Sequence, residues 1–109
     1  MAQPLPPKTC SIDRLITKQK DIQRVVDGNK TNVRRNGRYA DVGETFELEN
    51  RLFEISNVYR QTLGEMTDKE AQLEGFSNLE EYKEYILSMH PGMEWNLQMK
   101  MWVHEFKPI

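Results

Sequence analysis

The chain has 109 residues, 38% of them hydrophobic, one cysteine, and 15 Lys and Arg against 17 Asp and Glu for a net charge of -2. That length allows one domain with a true core, since about two thirds of the unfolded surface is buried at this size, and leaves no room for a second. Cys10 alone cannot build a disulfide framework or a thiolate metal site, no stretch approaches about 18 apolar residues, and the first ten residues carry no apolar signal segment, so the chain reads as cytoplasmic and reducing.

Residues 1–10, with Pro4, Pro6 and Pro7, read as a flexible tail, and 11–109 as a single domain. Ile12, Leu15 and Ile16 fit a short strand or a helical turn, and Ile22, Val25 and Val26 then fall at helical spacing before Gly28, a helix stop. Thr31 to Arg35 is a short strand candidate, followed by the turn pair Asn36 and Gly37. Phe46 and Leu48, then Phe53 and Ile55, alternate as the two arms of a hairpin turning at Asn50 and Arg51. Thr67 with Glu70, and Ser77 with Glu80, have the form of capping boxes opening two helices. The first runs over about Asp68 to Glu74 and ends at Gly75. The second carries Leu79, Tyr82, Ile86 and Met89 on one face and stops at His90, Pro91 and Gly92. Lys100 to Phe106 is apolar on both sides, as a central strand is. The order predicts an α+β fold with a helix near the N-terminus and two short helices inserted before the last strand.

The near-zero net charge hides an asymmetry. Met1 to Ala40 holds nine basic and three acidic residues, a net of +6, and Asp41 to Ile109 six basic and fourteen acidic, a net of -8. Such a split describes either a face attractive to polyanions or two halves that neutralise each other in the fold. The segment Gly28, Asn29, Lys30, Thr31, Asn32, Val33, Arg34, Arg35 brings three cations to a helix-to-strand junction. Strand alternation puts Lys30 and Arg34 on one face and Arg35 on the other. Arg34 and Arg38 are read as peripheral phosphate contacts, and Tyr39 and Trp95 as stacking partners for a base. Glu74 sits at a helix C-terminus, where the backbone dipole disfavours an anion, so a partner such as Lys30 is sought for it. His90 and His104 have no second pair at metal-ligand spacing, and no Gly-rich phosphate loop is present, so no metal and no cofactor are expected. Asn29, Lys30 and Thr31 match a glycosylation pattern, which has no meaning in a cytoplasmic chain.

Roughly from Asp21 to Phe106 the pattern resembles the ASCH domain of the PUA-like superfamily, and more narrowly the small bacterial YqfB-like proteins. Gly28, Lys30 and Arg35 fall on three of the four fixed positions of the signature G-x-K-x-x-E-x-R, and the Val42–Gly43 turn, the helix with Ala71 and Glu74, the His90–Pro91–Gly92 stop and the Val103 to Phe106 strand follow in order. The resemblance implies a small β-barrel with a cleft lined by the signature strand and the helical insert, binding RNA or a nucleotide-like ligand through Gly28, Lys30, Thr31, Arg34, Arg35, Arg38, Tyr39 and Glu74. In YqfB-like members it implies an amidohydrolase of N4-acetylcytidine using a lysine, a threonine nucleophile and a glutamate. Lys30 and Glu74 match two of these. The threonine position, which is also that of the signature glutamate, is Val33, without nucleophile or proton. A monomeric binding module for RNA or a modified nucleoside is therefore expected first, and hydrolysis through Lys30 and Glu74 second.

Overall fold

A computed structural model describes residues 11–109; the expected tail, with Cys10, lies outside them. A short 3-10 turn, Ile12–Arg14, leads to helix α1, Gln19–Val26, and strand β1, Asn32–Arg35. Strands β2, Thr45–Leu48, and β3, Arg51–Thr62, follow, then a 3-10 turn Leu63–Glu65, helices α2, Asp68–Leu73, and α3, Leu79–Met89, and strand β4, Lys100–Pro108.

The four strands form one antiparallel sheet in the order β1-β4-β3-β2, so the last strand is central, as its two-sided apolarity requires. The sheet curls into an open half-barrel with β1 and β2 as its edges, rather than closing. Its inner face packs Val33, Ile55 and Phe106 against Leu15, Ile16 and Val25 from the N-terminal segment. Met66, Ala71, Phe76 and Tyr82 form a second cluster within the helical insert.

Local details differ from the sequence reading in three places. The hairpin turns at Glu49 (φ 52°) and Asn50 (φ 64°), with Leu48 paired to Arg51, because a two-residue turn of the favoured hand needs positive φ at both central residues. Helix α3 is capped by Asn78, whose side chain accepts the Glu81 N–H, while Ser77 only donates its own N–H to Glu81. A bulge at Ser56 shifts the β3–β4 register between Ile55 and Asn57. Two β3 residues then face one on β4, which turns Asn57, Tyr59 and Gln61 away from the inner face.

Two glycines set the chain's exits from its helices. After α1, Gly28 (φ 82°) donates to the Val25 carbonyl and Asn29 to that of Arg24; after α2, Gly75 (φ 93°) and Phe76 do the same to Gln72 and Ala71. Both are the paired bonds of a Schellman stop, which needs a left-handed residue. At Gly75 a Cβ would also lie 2.7 Å from the Arg24 side chain, which rests over the Phe76 ring.

His104, fully buried on β4, accepts the Tyr39 N–H at Nε2 (3.1 Å) and is pushed down to about 4, chiefly by burial. The unfolded histidine titrates near 6.5, so the folded state gives up stability as pH falls from there toward 4. Between pH 7 and pH 5 the loss should be about 2 kcal/mol. Urea unfolding of the native chain and of His104→Asn at the two pH values measures it: the wild-type slope should be largely absent in the variant, and equal slopes would assign the titration elsewhere.

Candidate functional site

Helix α1 stops at Gly28, and β1 starts against the C-terminus of α2, where the Thr31 N–H donates to the Leu73 carbonyl (2.7 Å). Lys30 crosses the same junction. Its Nζ donates to Glu74 Oε1 and to the Glu74 carbonyl, each at 3.2 Å. A carboxylate at a helix C-terminus is thereby answered by an ammonium that also satisfies a terminal carbonyl.

Four residues further, on the same face, the Arg34 guanidinium donates to Glu74 Oε2, to Glu70 Oε2 (2.8 Å) and to Gln61 Oε1 (2.7 and 3.1 Å). Gln61, re-aimed by the bulge, donates in turn to Glu70 (2.7 Å). Lys30, Arg34 and Glu74 are each 3% exposed. Two cations thus face two carboxylates in a closed, balanced network, and part of the sequence's charge split is neutralised inside the fold.

Arg34 and Arg38 correct the sequence reading. Expected as peripheral contacts, both are buried, and Arg38 pairs with Asp41 at 2.6 Å. Their neighbour Arg35 differs. Its guanidinium donates to the carbonyls of Arg34 (2.9 Å) and Leu15 (2.6 Å), and no carboxylate among the described residues pairs with it. Val33, on the alternate face from Lys30, is 1% exposed within the inner core. Thr31 is partly buried, its hydroxyl bonded to Asn32 Oδ1 (3.3 Å).

Beside this network lies a cavity of ≈ 710 Å³ between the end of β1 and α3. Arg34, Arg35, Asn36 and Tyr39 line one wall, and Tyr82, Tyr85, Ile86, Met89 and His90 the other. Arg14, Thr17, Lys18 and Asp21 border it from the N-terminal segment, and Met93, Met99 and Met101 from the loop before β4 and the strand itself. Lys18 Nζ reaches Met89 Sδ (3.9 Å) between these two sides. Burial above all, and then the Glu74 charge, pushes the Tyr82 phenol up, so it stays neutral. Lys30, Glu74, Gly28, Thr31 and Arg38 do not line the cavity. Trp95 meets Tyr82 edge to face, and Trp102 lies under Arg60.

Sequence reasoning paired Glu74 with Lys30 and placed Arg34 on the Lys30 face, but missed Arg14, Lys18 and the thioether wall. The signal for the latter was present: four methionines fall between positions 89 and 101. Among the described residues, no group of three or more His, Cys, Asp or Glu is placed to hold a metal ion, and no helix is long and apolar enough to cross a membrane.

A curled antiparallel sheet carrying a helical insert before its central last strand is the PUA-like arrangement. Within it, this chain has the ASCH fold. It is similar to the ASCH domain of Lactobacillus crispatus JV V101 (TM-score 0.67, 16% identity, 82% of this chain and 70% of that one). It is also similar to protein EF3133 of Enterococcus faecalis V583, of family DUF984 (TM-score 0.62, 16% identity, 98% of this chain and 78% of that one). No family model and no curated protein matches the sequence.

Two substitutions test this geometry. Glu74→Ala leaves two buried cations short of a partner and should cost about 3–5 kcal/mol in denaturant unfolding; a loss under 1 kcal/mol, roughly the value of a surface pair, would contradict the closed network. Val33→Thr places a hydroxyl in the apolar core and should destabilise by about 1–3 kcal/mol without creating turnover of an acylated nucleoside.

Proposed function

We propose that the chain is a cytoplasmic, monomeric binding module for RNA or a nucleotide-like ligand, taken into the cavity between β1 and α3. The observation that carries this reading is Arg35. A half-buried guanidinium on a cavity wall, held by two carbonyls and answered by no carboxylate, favours an anionic guest, because a desolvated charge gains most from a partner. Arg14 and Lys18 add positive charge at the cavity's edge, and Tyr39 and Tyr85 offer faces on which a base can stack. Arg34 contributes a wall position, while Lys30 and Glu74 hold that wall from behind. The resemblance to the ASCH domain, with its implied RNA binding, agrees with this reading.

A second reading, an amidohydrolase of an acylated cytidine-type nucleoside, is favoured by the direct Lys30–Glu74 contact. Against it stand the engagement of the same carboxylate by Arg34, the burial of the pair behind the cavity wall and the place of Val33 in the core.

A titration with short RNAs and free nucleosides, including N4-acetylcytidine, with product detection on the same samples, separates the two. Binding weakened by salt and reduced about tenfold or more in Arg35→Ala, without turnover, is the expected result. Hydrolysis lost in Lys30→Ala and Glu74→Ala would replace the binding module with the enzyme.

A further inference from the structure

We infer that the guest is a single nucleoside monophosphate rather than an RNA strand, its phosphate held at the Arg35 end and its base lodged against the tyrosine and methionine wall. This rests on the proposed reading of the cavity and narrows it.

The distribution of free positive charge argues against a polymer. A strand held by its backbone needs cations spaced along a surface. Here four of the nine cations of the N-terminal segment are used within the fold: Lys30 and Arg34 meet Glu74, Arg38 meets Asp41, and Arg24 lies beside Asp21 (3.4 Å) and over Phe76. From Asp41 onward, six cations stand among fourteen carboxylates. At the cavity, the cations without a carboxylate partner among the described residues are Arg14, Lys18 and Arg35, all on the lining of one pocket. Asp21, the acid that also borders the cavity, is turned to Arg24.

The cavity itself fits one small molecule. Its ≈ 710 Å³ falls inside the range of about 300–1,000 Å³ common to pockets for single ligands. The rest of the lining includes Tyr85, Ile86, Met89, Met93 and Met101, with Lys18 Nζ 3.9 Å from Met89 Sδ. Flexible thioethers shape themselves to a flat ring and make favourable contacts at its edge, and a tyrosine face adds stacking. Cations and an apolar, aromatic lining within one pocket together select an amphiphilic anion of nucleotide type, and both halves of that guest should contribute.

Calorimetric titration of the whole chain with the four ribonucleoside 5′-monophosphates, their nucleosides, inorganic phosphate and a mixed-sequence octameric single-stranded RNA, at low and moderate potassium chloride, tests this. At least one monophosphate should bind with one-to-one stoichiometry, with its nucleoside and phosphate each weaker by about tenfold or more, and the octamer no tighter than the monophosphate. Arg35→Gln should lower monophosphate affinity by about tenfold or more and leave the nucleoside unchanged. Because Arg35 also holds the Leu15 carbonyl, the exposed double variant Arg14→Ala with Lys18→Ala provides the same comparison with the fold undisturbed. An octamer that binds about tenfold more tightly, with a steep salt dependence, would overturn the single-nucleotide inference and leave the nucleic-acid reading standing. Absence of binding by every probe would remove both.

Discussion

The Glu74 carboxylate is the point on which the rest of this structure depends. It is buried at the C-terminal end of α2, where a helix disfavours negative charge, and is held there by an ammonium on one oxygen and a guanidinium on the other. Arg34 comes from β1 and Lys30 from the segment that leads into it, so the pairing fixes the helical insert against the sheet edge and sets the position of the cavity beside them. Glycines make this possible at both ends: Gly28 turns the chain so that Lys30 leads into β1, and Gly75 turns it away once Glu74 is in place.

The same pairing divides the arginines. Alternation along β1 sends Arg34 to the carboxylates and Arg35 to the other side, where carbonyls are its partners. Adjacent residues of one type, both on the cavity wall, thus take different parts: the charge of the first is answered by carboxylates, and that of the second by carbonyls alone. A count of basic residues does not reveal this division. It appears only when each cation is followed to its partner, and it moves the candidate binding surface away from Lys30 and toward α3.

Much of the architecture was legible in local pattern. Apolar alternation marked the β2–β3 hairpin, two-sided apolarity marked β4 as central, and the Thr67–Glu70 box opens α2 where its spacing placed it. The misplacement of Glu74 against the dipole pointed correctly to Lys30. What failed were features without a local signature. The bulge at Ser56 has no glycine or proline to announce it, yet it brings Gln61 to Arg34. The choice of Asn78 over Ser77 as a cap turns on one residue of phase. The cavity is assembled from segments between Arg14 and Met101, so no window of sequence contains it. Arg34 read as a surface contact because its acidic partners' approach is set by tertiary packing: Glu70 and Glu74 lie 36 and 40 residues away. Arg38 is different, since its partner Asp41 is only three residues on.

The most direct test of the claim that the cavity, and not the buried ion-pair network, receives the ligand is a proton–nitrogen NMR spectrum that resolves the arginine Nε–H groups, recorded with and without a nucleotide. The account predicts shifts at the Arg35 side chain and at the backbone of Tyr39, Tyr85, Ile86 and Met89, with the signals of Lys30, Thr31 and Glu74 little changed. Shifts centred on Lys30, Thr31 and Glu74, with Arg35 silent, would contradict it.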